Sequence, residues 1–233
     1  MQGRYCVLIP AFQAERTIGP IVRGAKGQGL EVIVINDGSR DQTASVASAA
    51  GAVVISHLHN EGKGRALRTG FEHVLRAAYD GVITMDSDGQ HDPTEIVQLV
   101  HAGEVQHAGM TIGNRLANGV PMPAARLWTN RLMSAVVSAV TRQQIPDSQC
   151  GFRFIRRELL RELTLRANRF EIDTELVLRA AAQRWKIISV PIRTIYQDEH
   201  SHIKPVMDGL RFVALIVQYV VKPRSRQKNQ GTS

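Results

Sequence analysis

The chain has 233 residues, 43% of them hydrophobic, enough to bury a sizeable core in one large or two small domains. Its formal charge of +8 points to an anionic partner: a nucleotide phosphate, a nucleic acid or an acidic membrane surface. With 5% aromatic residues and no interleaving of basic and aromatic side chains, it lacks a stacking platform for single strands, so nucleic acid is not expected.

In the first half, short apolar runs alternate with helix-length segments, the pattern of a parallel sheet with crossover helices. The runs are YCVLIP, EVIVIN, AVVIS, GVITMD and MTIGN. Between them lie AERTIGPIVRGAKGQG, DQTASVASAAG, GKGRALRTGFEHVLRAAYD and PTEIVQLVHAGEVQHAG, whose apolar residues fall near helical spacing. The second half reads as a long helix over 124–142, a strand at GFRFI, a helix over 173–184, a strand at KIISVPIRTIY and a last helix over 205–222. Nothing resembling a linker or a repeat divides the chain. Residues 1–222 are therefore expected to form one α/β domain, and the basic tail 223–233 has too little apolar surface to order alone.

The opening MQGRYCVLIPAF lacks the charged start and long apolar run of a signal peptide. FVALIVQYVV, residues 212–221, is too short to span a membrane and carries a glutamine. A cytoplasmic protein is expected, with peripheral contact to the inner face of the membrane. Cys6 and Cys150, far apart and outside any CxxC or Cys/His cluster, read as buried free thiols.

In sheets of this type, ligands gather beyond the carboxyl ends of the strands. That groups Glu15, Asn36, Asp37, Asp86, Asp88 and Arg115. The segment VITMDSDGQHDP, residues 82–93, ends an apolar strand in two acids one residue apart. Alternate strand residues share a face, so Asp86 and Asp88 point the same way, and Gln90 follows if the turn keeps the direction. Two carboxylates about 4 Å apart repel by roughly 4 kcal/mol at an effective dielectric near 20, so a cation belongs between them. A hard divalent ion shared with substrate phosphates is the usual solution. Asp92, just before Pro93, reads instead as a helix cap.

Three further segments lie at strand ends: IPAFQAE (9–15), VINDGSRDQT (34–43) and NEGKGRALRTG (60–70). In the last, Gly62 and Gly64 permit close approach of a ligand to the backbone, and Lys63 adds a charge. The spacing matches neither a P-loop nor GxGxxG. His57 and His59 read as polar loop residues.

In this order and spacing, the four segments resemble family 2 glycosyltransferases, in particular the polyprenyl (dolichol) phosphate mannosyl- and glucosyltransferases. GNR at 113–115, DSQCGFRFI at 147–155, VPI at 190–192 and SHIKPVMDGLRF at 201–212 extend the likeness to about Val221. The resemblance implies a GT-A fold, a central mostly parallel sheet flanked by helices, that binds a nucleotide-diphosphate sugar. It further implies an inverting transfer of mannose or glucose, from GDP-mannose or UDP-glucose, to a polyprenyl phosphate or another acceptor. Carried over by position, Pro10, Ala11, Phe12, Glu15, Asp37, Lys63, Gly64 and Asp86 would line the nucleotide sugar. Asp86, Asp88 and Gln90 would hold Mg2+ or Mn2+. Arg115, Arg131, Ser134 and Lys204 would serve the phosphates, and Asp88, Arg115, Arg131 and Glu175 would be catalytic. Gln13, Asn36 and Ser189 depart from the family's usual asparagine and two acids.

A phosphate acceptor is already ionised near neutral pH, whereas a hydroxyl acceptor needs a base. FEIDTELVLRA, residues 170–180, offers Glu171, Asp173 and Glu175 for that role, although Glu175 also reads as a first-turn charge favoured by the helix dipole. In some GT-A enzymes a late histidine joins the metal, which brings His200 and His202 into view. A sugar nucleotidyltransferase would need a glycine-rich, arginine-containing opening that is absent here. The last helix, followed by Lys222, Arg224, Arg226 and Lys228, suits an anionic membrane surface, or else packs on the core.

Overall fold

Seven strands form one sheet in the order β3-β2-β1-β4-β6-β5-β7. The computed structural model describes residues 3–118, 124–195 and 205–221. An interior strand, β1 (Tyr5–Ala11), is buried along its whole length. It pairs in parallel with β2 (Glu31–Asn36) and β4 (Gly81–Thr84), and β2 pairs in parallel with β3 (Val53–Ser56). A strand with both faces covered carries no alternation of polar residues, which is why YCVLIP and EVIVIN read as unbroken apolar runs.

The crossovers are α1 (Ile18–Gly27), α2 (Thr43–Ala49), α3 (Lys63–Arg76) and α4 (Ile96–Val105), the last entered through a single 3-10 turn at Pro93–Glu95. Pro20 sits in the first turn of α1, where a missing N–H costs no helical hydrogen bond. The far side of the sheet is mixed. Strand β6 (Arg153–Arg156) lies antiparallel between β4 and β5 (Met110–Asn114), and β5 pairs in parallel with the edge strand β7 (Ile187–Pro191). The sheet is therefore mostly parallel, as the sequence implies.

The second half adds α5 (Ala124–Thr141), α6 (Arg157–Glu162), α7 (Ile172–Ala182) and α8 (Pro205–Val221). Helix α5 packs on α7 and α8, and α7 also touches α3 and β7. These elements fall where the sequence places them, with two differences. The strand read over KIISVPIRTIY stops at Pro191, and beyond it, among the described residues, only Thr194 makes an isolated bridge, to His91. The short α6 is additional. Cys6 and Cys150 are buried free thiols, and burial pushes both up to about 12. The tail 223–233 lies outside the described residues.

Because β1, β2 and β4 are adjacent and parallel, with Ala11 opposite Asn36, their carboxyl ends deliver Phe12, Asp37 and Asp86 to one edge of the sheet. That edge carries the site.

Candidate active site

The acid at the end of β4 is not alone. Lys63, the first residue of α3, places its Nζ 2.6 Å from Asp86 Oδ1 and 2.8 Å from Asp173 Oδ2 on α7. His91 Nε2 faces the other Asp86 oxygen at 3.6 Å. Burial works to raise the Asp86 carboxyl, but Lys63 and His91 outweigh it and hold the group well below the usual carboxylate range. Burial would likewise lower the Lys63 ammonium, yet Asp173 and Asp86 lift it above its ordinary value. Both charges therefore persist across the neutral range.

The surrounding backbone leaves this pair little room. A Cβ on Gly151 would collide with the Asp86 carboxylate, and the Gly151 carbonyl accepts the Thr84 hydroxyl at 2.8 Å. The ring of His91 stacks on Phe152 with centroids 5.1 Å apart, and its Nδ1 is buried without a partner among the described residues. Arg153, fully buried, donates to the carbonyls of Cys150, Ser148 and Asp173 and lies 3.5 Å from Asp173 Oδ1. Three backbone carbonyls and a carboxylate thus compensate a guanidinium in the core.

Asp88 Oδ1 accepts the Gln90 amide at 3.0 Å, closing a turn in which Gly89 takes φ 74. Gln90 is buried, and its carbonyl accepts the Ile195 amide at 3.0 Å. Asp92 caps the following turn, accepting the Thr94 amide at 2.9 Å, as its place before Pro93 predicts. Oxygen donors suit a hard divalent cation, and a cation, Lys63, is already stabilised beside them. Among the described residues no group of three or more His, Cys, Asp or Glu is arranged to hold a metal ion. An ion held there would have to draw the rest of its shell from water and substrate phosphate.

Asp37 is 2% exposed and fully engaged. Its Oδ1 accepts the Glu61 amide at 3.0 Å and meets His57 Nδ1 at 2.7 Å, while Oδ2 accepts the Gly62 amide at 2.8 Å. His57 Nε2 meets the Thr69 hydroxyl at 3.0 Å. His57 is a polar loop residue, as the sequence reads it, and its ring is bonded at both nitrogens. Asp37 fixes the 57–62 loop and with it the start of α3.

Gly62 and Gly64 do sit at a close approach, and the approaching group is the backbone of residues 167–168, whose carbonyls a Cβ at either glycine would strike. Glu175, 2% exposed, positions that segment: its Oε2 accepts the Arg166 and Ala167 amides, both at 2.8 Å, and Oε1 pairs with Arg179 at 3.3 Å. Glu171 differs, with Oε1 on the Arg169 amide at a long 3.4 Å and Oε2 buried without a partner among the described residues.

Pro10 and Ala11 are buried, Phe12 is half-buried and Glu15 is exposed. The first two loops are tied together: Gln13 N donates to Ser39 Oγ at 2.9 Å, Ala14 N to Thr43 Oγ1 at 2.8 Å, and Gln42 N to Glu15 Oε2 at 3.0 Å. Asn36 accepts the Ser39 amide at 3.2 Å.

On the other side, Arg115 is buried and forms a bidentate pair with Asp147, at 2.8 and 3.0 Å. Ser134 is buried and accepts the Ser148 amide at 2.9 Å. Arg131 is exposed on α5. Lys204, His200 and His202 lie outside the described residues. Asp147, Gly151 and Arg153 were not singled out from the sequence, although all three lie in the quoted segment DSQCGFRFI.

A mostly parallel seven-stranded sheet, flanked by helices and ending its central strands in acids on one edge, is the GT-A fold of nucleotide-sugar glycosyltransferases. Residues 6–164 match the family model described as glycosyl transferase family 2, and the chain belongs to that family. It is 30% identical over 209 residues to polyprenol monophosphomannose synthase of Mycolicibacterium smegmatis, covering 81% of this chain and 76% of that protein. It is 26% identical over 215 residues to UDP-N-acetylglucosamine--dolichyl-phosphate N-acetylglucosaminyltransferase of Methanococcus voltae, covering 82% and 86%. Among solved structures it is similar to glucosyl-3-phosphoglycerate synthase of Mycobacterium tuberculosis in complex with Mn2+, uridine diphosphate and phosphoglyceric acid. There the TM-score is 0.72 at 20% identity, over 95% of this chain and 80% of that one. The protein is a glycosyltransferase.

Proposed function

We propose that this glycosyltransferase moves a hexose from a nucleotide-diphosphate sugar to a polyprenyl phosphate in one inverting step, assisted by Mg2+ or Mn2+. The observation that carries the acceptor assignment is the state of the acids. Asp173 is held by Lys63 and Arg153, and Glu175 by two amides and Arg179. Neither is placed to take a proton from a hydroxyl, and a lipid phosphate does not ask for it. Both relatives described above are named for lipid-linked sugar transfer, which supports the same reading.

Asp86, Asp88 and Gln90 would hold the ion, which when bound neutralises the leaving diphosphate without proton chemistry. Lys63 adds a fixed positive charge at the same place. Asp37 and Glu175 do not touch substrate on this reading: they fix the 57–62 loop and the 166–167 segment around the donor. Arg131, exposed on α5, is available to an acceptor phosphate, a role the family resemblance gives to Lys204 as well. Arg115 acts through its pair with Asp147.

Peripheral membrane contact fits two helices that pack together. Helix α8 exposes Val213, Val217, Val220 and Val221 along one stripe, and α5 exposes Trp128 and Leu132. Beyond α8 the sequence has Lys222, Arg224, Arg226 and Lys228 and no acid, each basic group contributing about 1 kcal/mol near an anionic surface.

A second reading, transfer to a hydroxyl, rests on the unpartnered Glu171 Oε2, which would serve as the base. Incubation with radiolabelled GDP-mannose or UDP-glucose, Mn2+ and a polyprenyl phosphate tests the assignment. Label extracted with the lipid is the result expected. Label transferred only to a soluble acceptor would displace the lipid phosphate.

A further inference from the structure

Lys63 stands where a metal would be sought. Its ammonium bridges Asp86 and Asp173, which lie 23 and 110 positions along the chain from it, at 2.6 and 2.8 Å respectively. All three are largely buried, with side-chain exposures of 13%, 24% and 7%. Both Asp86 oxygens are faced by the protein, one by Lys63 and one by His91. Asp88 differs: one oxygen takes the Gln90 amide, and the other accepts no hydrogen bond among the described residues.

Electrostatics gives the arrangement a purpose. Asp86, Asp88 and Asp173 are three carboxylates, and Lys63 and Arg153 supply two cations. Remove Lys63, and Asp86 and Asp173 become an acidic pair across a short gap, a second place for a divalent ion. With Lys63 present, a cation tethered to α3 already fills that gap.

We propose that Lys63 is a built-in competitor of the divalent ion: it occupies the Asp86–Asp173 gap, leaves Asp88 as the carboxylate open to metal, and makes productive metal binding depend on the diphosphate. The inference rests on the metal-diphosphate reading above. Lys63 acts on the ion through Asp86 and is a positioning residue in that sense. Gly62, held by Asp37 through its amide, and the collision awaiting any Cβ at Gly64 keep the start of α3 fixed, so the ammonium cannot drift far from the pair.

The test uses MnCl2 alone, without nucleotide, with free Mn2+ read by electron paramagnetic resonance. Lys63→Met should bind Mn2+ at least tenfold more tightly than the wild type. Should the two stranded acids prevent folding, the comparison moves to Asp173→Asn against Asp173→Asn/Lys63→Met, which leaves one acid, Asp86, without the lysine instead of two. There the loss of Lys63 should still tighten Mn2+ at least threefold by releasing Asp86. Lys63→Arg, which keeps the cation, should stay within about twofold of the wild type. Folded proteins, checked by circular dichroism, whose Mn2+ affinity ignores Lys63 in both backgrounds would overturn the competitor role while leaving the metal site intact. Absence of Mn2+ binding in every variant, even with GDP or UDP added, would overturn the metal reading and this inference with it.

Discussion

Asp37→Asn separates two roles for the acid that follows β2. If the carboxylate contacts the nucleotide, the substitution lowers ligand affinity and leaves the free protein intact. If it holds the loop, stability falls without any ligand. The structure favours the loop, because Asp37 faces three protein groups at 2.7–3.0 Å and is 2% exposed. An asparagine has one acceptor oxygen. Whichever way its amide turns, its NH2 confronts either the Gly62 or the Glu61 N–H, and that donor loses its partner. Hydrogen bonds to a charged group contribute about 1.5–3 kcal/mol, and a buried donor left unpaired costs about 1–3 kcal/mol. The net loss is therefore about 2–3 kcal/mol. For a domain of this size, each kcal/mol lowers Tm by about 2–4 °C, so the melting point should drop by about 4–12 °C. Differential scanning calorimetry of the ligand-free proteins measures it. A Tm within about 1 °C of the wild type, equivalent to about 0.25–0.5 kcal/mol at that scale, would refute the loop assignment.

Gly151→Ala places a methyl group against the Asp86 carboxylate, and transfer activity should fall at least tenfold with the overall fold retained by circular dichroism. Unchanged activity would show that Asp86 has room to move. The lowered Asp86 carboxyl contributes stability that is fully present above the ordinary carboxylate value, near pH 4, and is lost as pH falls through its depressed value. The stability gap between wild type and Asp86→Asn, from urea melts, should thus be largest near neutral pH and shrink below about pH 4. A gap constant down to about pH 2 would contradict that linkage. Glu171→Gln should leave turnover within about twofold if the acceptor is a phosphate, since loss of a general base removes about a hundredfold or more.

The parallel half of the sheet was legible because strands covered on both faces must be apolar throughout, as YCVLIP and EVIVIN are. The antiparallel β6 was legible as a strand but not in its direction, which is set by pairing with β4 and β5 and leaves no trace in RFIR itself. Arg153 illustrates the same limit: a charged residue in a strand reads as solvent-facing, and only the fold supplies the three carbonyls that let it be buried. The short RELLRE helix spans too few turns to show a period. At the site, Asp86 and Asp88 were visible because acids ending an apolar strand need compensation. Their nearest compensation was not, since the Lys63–Asp173 contact joins residues 110 apart and depends on how α7 docks beside α3. Gly62 and Gly64 marked a close approach that the sequence reading gave to a ligand, and the fold brings the 167–168 backbone against them.

The proposed metal-diphosphate site at Asp86 and Asp88 is tested most directly by a thermal-shift panel of GDP, UDP and their sugars, with and without Mn2+, on the wild type and on Asp88→Asn. A ligand at a hundred times its dissociation constant adds about 2.7 kcal/mol of stability. The account predicts a shift with one nucleotide that requires Mn2+ and disappears in Asp88→Asn. A shift of equal size without Mn2+, or one that survives in Asp88→Asn, would contradict it.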